Sequence, residues 1–262
     1  MRLHPRRLAA VAVAALVLVA TAACGSQSPA GTAASPSQRP SAGTPVNIPL
    51  PHRLLDMPLT DSAGKTVHLS DFAGKTVVIS DSMTLCQEAC PVDTSALVQT
   101  ASRVAQGPAA SDVVFLTITV DPQRDIPAQL AAYRKQYVGA ASNLPQWQLL
   151  TGRPDDIHAL WKQLGVWVQR TKQDAVVHNW RTGQRLTYDV AHSDEVFFLD
   201  GNGHERYILD GIPSLAGADD VPKRIKAFEN DRGHHNEHKS AGWTAQDAVG
   251  VLSWLRGSSV TR

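Results

Sequence analysis

Hydrophobic positions follow two periods from Arg53 onward. Thr76 to Ser80 and Val113 to Val120 are unbroken β-branched or apolar runs, which predicts strands buried on both faces. Between them, Ala89 to Ala105 places Leu97, Val98, Ala101, Val104 and Ala105 on one face of a helix. A second helix opens at Pro127, with Ile126, Leu130, Tyr133 and Tyr137 at helical spacing. Upstream, Ser62-Ala63-Gly64 predicts a turn between extended segments 54–59 and 65–69. Downstream, Trp147 to Leu150 reads as a short strand, and Pro154 starts a helix that Gly165 ends.

Residues 170–190 read as a polar hairpin turning at Arg181-Thr182-Gly183. Val196 to Leu199 and Arg206 to Leu209 flank Asp200-Gly201-Asn202-Gly203, a strong antiparallel hairpin signal. Two helices close the chain, Val221 to Phe228 and Thr244 to Leu255, the latter after a Thr244-x-x-Asp247 cap. The order is a hairpin, then βαβα, then a closing hairpin and helix. It predicts an α/β thioredoxin-like sandwich, a mixed central sheet with flanking helices, over residues 52–262.

The first 51 residues follow neither period. Arg2, Arg6 and Arg7 precede an uncharged run, Leu8 to Ala23, that ends at Cys24. This is the pattern of an export signal over residues 1–23, and the run is short for a membrane span. The placement of Cys24 after small residues predicts a lipoprotein-type signal with Cys24 as the lipidated N-terminus; a plain secretory signal is the alternative. Either implies an extracytoplasmic protein, and the first implies attachment to the cell membrane by lipid. Residues 24–51 are rich in Pro, Ser, Gly and Ala, with Arg39 the only charge, and read as a flexible linker. Such a chain has a reach of roughly 30 Å.

At 262 residues, with 43% hydrophobic and 19% charged residues, the chain is too balanced for wholesale disorder, collagen or coiled coil. The formal charge of +1 gives no reason to expect a nucleic-acid partner. Cysteine usage changes the picture more. Setting Cys24 aside leaves only Cys86 and Cys90. A bridge closing so short a loop constrains a fold little, so the pair points to chemistry.

Cys86 and Cys90 lie where a buried strand hands over to a helix. Free N–H groups there favour thiolate, and two converging thiolates suit Cu(I) above hard cations. Three readings remain open: a metal site needing a third ligand, dithiol exchange, and a structural disulfide. His192, just before the strand Val196 to Leu199, is the candidate third ligand. In thioredoxin-like folds that loop faces the active-site cysteines. Redox members carry a proline there, whereas this chain has none between Asp155 and Ile212. Met83 is a candidate soft accessory ligand, with gap-filling in the core as the alternative. His234, His235 and His238 form a second, looser candidate set or a solvated loop.

Several segments together resemble the Sco/SenC family from about Pro51 to Phe228. They are GKTVHLSDFAGKTVVI, the Cys86-x-x-x-Cys90-Pro91 motif, TITVDPQRD, LLTGRPDDIHALWKQLGV and YDVAHSDEVFFLDGNG. The resemblance implies a membrane-tethered copper protein that helps assemble the copper centre of cytochrome c oxidase subunit II. Its metal ligands map onto Cys86, Cys90 and His192, for Cu(I), Cu(II) or both. The aspartate of its D-P-x-x-D motif maps onto Asp121, an accessory residue or simply a turn aspartate. The resemblance also permits a thiol-disulfide reductase working through Cys86 and Cys90 on a client. The chain departs from the family at Gln87, where a proline is usual, and at Ile79 to Met83, where an aromatic-rich strand is usual.

Overall fold

The structure, a computed structural model, describes residues 38–138, 144, 146–173, 175–215, 220–236 and 242–262. The expected export signal, Cys24 and His238 lie outside these residues, as does the side chain of His235. The chain enters as strand β1 (Thr44–Pro49), then α1 (His52–Leu55), β2 (Leu59–Asp61) and β3 (Thr66–Val67). A 3₁₀ turn at Leu69–Phe72 leads into β4 (Thr76–Ser82), α2 (Cys90–Ala105), β5 (Val113–Thr119), α3 (Pro127–Val138), β6 (Trp147–Gly152) and α4 (Pro154–Leu164). The second half holds β7 (Val168–Lys172), β8 (Tyr188–His192), β9 (Glu195–Leu199), β10 (His204–Asp210), α5 (Lys223–Lys226), α6 (Asp231–Asn236) and α7 (Ala245–Arg256).

One sheet runs in the order β1-β10-β9-β4-β5-β6-β2-β3, and β7 pairs with β8 apart from it. β4, β5 and β6 are parallel, whereas β9 is antiparallel to β4 and to β10. With α2 and α3 as crossovers and α7 after the last hairpin, this is the thioredoxin-like mixed sandwich expected. β4 and β5 are buried along their whole lengths because both faces of the sheet are covered. Strand alternation divides the core in two. Val78, Phe115 and Phe198 pack with Leu97, Leu130 and Leu252 on one face; Ile79, Leu116 and Phe197 pack with Ile157, Leu160 and Trp161 on the other. The buried indoles of this core find hydrogen-bond acceptors, Trp147 on Thr117 Oγ1 at 3.0 Å, Trp161 on the Thr119 carbonyl at 2.9 Å and Trp243 on the Gly211 carbonyl at 2.8 Å. Among the described residues no helix is long and apolar enough to cross a membrane.

Local chemistry explains most boundaries. Pro154 opens α4 and Gly165 ends it in the left-handed region, at φ +84°. Thr244 and Asp247 form the expected reciprocal cap on α7. The polar hairpin is present as β7 and β8, turning through Asn179 and Gly183.

Three expectations need correction. The extended segment 54–59 is instead α1 followed by an irregular link into β2, with Leu54 turned into the core from a helical turn behind Pro51. The helix expected over 221–228 shortens to α5, because Pro222 is its N-cap. The linker reading, carried to residue 51, missed β1. Thr44–Pro49 is an exposed edge strand, so no hydrophobic alternation announces it. It forms because β10 offers a free edge, and Tyr207 Oη donates to the carbonyls of Pro40 and Ala42 at 3.0 and 2.8 Å.

Gly43 makes the entry to β1 testable. It sits at φ +82°, and an added Cβ would lie 2.3 Å from the Ile208 carbonyl oxygen. Gly43→Ala is expected to lower stability by about 2 kcal/mol in urea unfolding. Gly64→Ala has the same backbone sign but open space around it and is expected to lose about 1 kcal/mol. A segment that behaved as a loose tether would leave the Gly43 variant unchanged.

Candidate metal centre

The site is assembled at the end of the sheet where β4 finishes. After Ser82 the chain turns through Met83 to Ala89 and starts α2 at Cys90. Helix therefore begins at the second cysteine, not the first. Cys86 lies in the turn before it, within reach of the unpaired N–H groups at the helix start. Its sulfur accepts from the Glu88 N–H at 3.5 Å. Both thiols are free and both are buried, Cys90 almost completely.

His192 reaches the pair from the last residue of β8. Its Nε2 stands 3.3 Å from Cys90 Sγ. Its Nδ1 is 2.7 Å from Asp81 Oδ2 and 2.8 Å from the Ser193 carbonyl oxygen. Two acceptors at Nδ1 place a proton there, so Nε2 is the nitrogen that faces the Cys90 sulfur. Asp81 and His192 have side chains only 1% and 4% exposed, so water does not compete for this contact. The other Asp81 oxygen accepts the Glu195 N–H at 3.0 Å. One buried carboxylate thus joins β4, the histidine loop and β9.

The electrostatics separate the two thiols. Cys86 is lowered by the hydrogen bond it accepts from Cys90, against the opposing effect of burial and with help from the His192 charge. Cys90 is pushed well up by burial and by the neighbouring Cys86. Burial pulls His192 down, but the Asp81 hydrogen bond and charge outweigh it and raise His192 to about 10. The two thiols therefore differ, Cys86 being the more acidic, and the imidazole beside them favours its protonated form. Asp194 is raised to about 6, first by burial, and Asp93 is pushed well up by burial and by Asp194. Both acids also push Cys90 up, and Asp194 Oδ1 lies 3.8 Å from His192 Nδ1.

Asp81, His192 and Asp194 also bring ligating atoms within 4.8 Å of one another. That grouping works through Nδ1, which is already hydrogen-bonded on both sides. The two sulfurs and Nε2 form the softer set, with the imidazole oriented from behind as metal-bound histidines usually are. Two thiolates and one imidazole fit a thiophilic ion such as Cu(I).

The remaining sequence candidates have other partners. Asp121 pairs with Arg124 Nε through one oxygen and accepts Tyr188 Oη at 2.8 Å through the other. Its carbonyl also closes a turn onto Arg124 and Asp125. Met83 is buried in the core cluster that includes both cysteines, with Arg124 Nη2 3.9 Å from its sulfur. His234 pairs with Glu229 at 3.3 Å.

Sequence reasoning missed three contributors. Asp81 was legible as an acid inside an otherwise buried strand, a position that demands a partner. Asp125 accepts from Thr84 N–H at 3.1 Å, Thr84 Oγ1 at 2.5 Å and Thr119 Oγ1 at 2.6 Å. The second aspartate of D-P-x-x-D thus pins the turn that presents Cys86. Gln87 ties that turn to the segment before α6, donating to the Phe228 carbonyl at 3.1 Å and accepting from the Asn230 N–H at 3.0 Å. A proline there would have no side-chain amide for the first of these bonds.

Fold and site together define a thioredoxin-fold protein with a buried dithiol–imidazole centre. The SCO1/SenC family model matches residues 55–227, well over half the chain, and the chain belongs to that family. No match is found among curated proteins. Solved structures are similar at lower identity. ScoI of Bradyrhizobium japonicum with copper bound is 25% identical, over 71% of this chain and 96% of that one, at a TM-score of 0.43. A SCO1/SenC family lipoprotein from Bacillus anthracis is 24% identical, over 73% and 98%, at 0.48. BsSco, a member of the Sco family of cytochrome c oxidase assembly proteins, is 19% identical, over 71% and 96%, at 0.47.

The thiol asymmetry sets an order of reactivity. A group lowered from the ordinary thiol value of 9.0 keeps its thiolate as the pH falls below that value. In the reduced protein a small alkylating agent is therefore expected to modify Cys86 before Cys90, and the Cys86 rate to fall off at a lower pH than that of an ordinary thiol. His192→Ala removes the facing charge and should move the decline to higher pH. Peptide mass spectrometry over a time course reads both, and faster labelling of Cys90 would contradict the assignment.

Proposed function

We propose that this protein binds copper as cargo and helps mature the copper centre of cytochrome c oxidase subunit II. The observation that carries the reading is the convergence of two buried thiols with an imidazole nitrogen whose other face is held by a carboxylate. Family membership supports it, as does the copper bound by the Bradyrhizobium japonicum relative. Cys86 Sγ, Cys90 Sγ and His192 Nε2 would hold the ion. Loading displaces protons from Cys90 and from Nε2, so it weakens on acidification.

The reduced protein is expected to take up one copper ion per chain. Cys86→Ala, Cys90→Ala and His192→Ala should each abolish or greatly weaken uptake. A thousandfold excess over the dissociation constant should stabilise the wild type by about 4 kcal/mol and leave Cys86→Ala unmoved. Unchanged stoichiometry and affinity in His192→Ala, with loss after deletion of residues 234–238, would move the site to the histidine-rich segment.

The unequal thiols favour a second reading, reduction of a client disulfide. The Cys86 thiolate attacks one client sulfur and expels the other as a thiolate. Cys90 then resolves the mixed disulfide, leaving a reduced client and a Cys86–Cys90 disulfide. Under this reading Cys90→Ser accumulates mixed disulfide and His192→Ala keeps exchange activity, with its pH profile moved upward. Loss of oxidase assembly in His192→Ala with exchange intact assigns the role to copper.

The export signal ending at Cys24 supports a lipid-anchored position outside the cytoplasm. The mature protein is expected to fractionate with membranes, and Cys24→Ser to release it or block its maturation. A soluble wild type with an uncleaved N-terminus would overturn this.

A further inference from the structure

The strand before the cysteines ends in Ser80-Asp81-Ser82, and all three residues are buried. Ser80 meets Thr117 Oγ1 at 3.1 Å, an ordinary buried hydroxyl pair. Asp81 differs, because no lysine or arginine among the described residues pairs with it; the partners of its two oxygens are His192 Nδ1 and the Glu195 N–H. A carboxylate kept at this depth against one imidazole acts on whatever that imidazole binds. We propose that Asp81 is a positioning residue that raises the affinity of the site for Cu(II) relative to Cu(I). The inference rests on the copper-binding function proposed above.

Two physical effects point the same way. The first is charge. Two thiolates and a neutral imidazole around Cu(I) carry a net charge of −1, and Asp81 makes the buried group −2. Around Cu(II) the same ligands are neutral, and Asp81 makes the group −1. Uncompensated charge is penalised in a low-dielectric interior, so the added carboxylate favours the more positive ion. The second is donor strength. A carboxylate accepting the Nδ1 proton makes Nε2 a stronger donor, and such partners change metal affinity by about 10- to 100-fold.

Thiolates alone favour Cu(I). Asp81 works against that preference from the opposite side of the imidazole, and brings the two oxidation states closer in affinity. Asp194, 3.8 Å from Nδ1 and less buried than Asp81, adds to the effect from the same side.

The test titrates the reduced full chain in detergent with Cu(I) against a chromophoric chelator without oxygen, and separately with Cu(II). In Asp81→Asn the Cu(II) dissociation constant should rise about 10- to 100-fold and the Cu(I) constant change less than about threefold. The thiolate-to-copper(II) absorption band should shift with it. Asp194→Asn should move the ratio the same way by a smaller factor, and it keeps the test decisive if Asp81→Asn fails to fold. Equal weakening for both ions would make Asp81 a merely structural residue and overturn the inference, as would an unchanged ratio in both variants. A wild type whose copper uptake ignores Cys90→Ala would instead overturn the proposed function itself, and the inference with it.

Discussion

The site depends on one contact, the buried hydrogen bond between Asp81 and His192. Imidazole has two nitrogens and little intrinsic preference between its tautomers, so its role is set by what occupies Nδ1. Here Asp81 and the Ser193 carbonyl occupy it, and Nε2 has Cys90 in front of it. The same carboxylate accepts from the backbone of Glu195. The geometry that aims the imidazole is therefore also what holds the histidine loop against the central sheet. The charges around the cysteines follow from this arrangement, since the imidazolium it favours is one of the groups that lower Cys86.

The cysteine side of the centre is fixed by a different device. Asp125, about forty residues downstream, gathers the Thr84 backbone and hydroxyl and the Thr119 hydroxyl onto one carboxylate. Trp180, from the hairpin between β7 and β8, donates to the Thr84 carbonyl at 2.8 Å. Gln87 holds the far end of the same turn. The short stretch from Thr84 to Gln87 is thus anchored from three separate parts of the chain. Burial raises Asp125 to about 6, against the hydrogen bonds from Thr119 and Thr84, so this anchor sits nearer neutrality than an ordinary carboxylate.

Much of this was legible in the sequence. The parallel strands announced themselves because burial on both faces leaves no polar position to confuse the pattern. α4 and α7 were bounded by Pro, Gly and a reciprocal cap, which act locally and read locally. β1 was not legible, because an exposed edge strand needs only backbone partners and carries proline without penalty. At the site, cysteine spacing and the position of His192 in the topology pointed to one place, and the structure sets His192 Nε2 3.3 Å from Cys90 Sγ. Asp81 and Asp125 escaped because their meaning lies in pairs far apart in the chain. The first D-P-x-x-D aspartate drew attention by its motif, yet its side chain goes to Arg124 and Tyr188. The second is the one that reaches the cysteine turn.

The edge strand has an orientational consequence. β1 is antiparallel to β10, and through β9 the register runs Thr44 toward Ile208 and Pro49 toward His204. Leu199 lies opposite the start of β4 and Val196 opposite its later part. The chain therefore enters the sheet on the side where β4 ends and the sulfurs lie, and runs away from them. A force applied to the chain at Gln38 therefore acts at the thiol-bearing pole. Rotation about that point carries the opposite pole through wide arcs while the sulfurs sweep small ones. A pivot at Gln38 would leave the dithiol–imidazole centre nearly in place while the far end of the sheet moves.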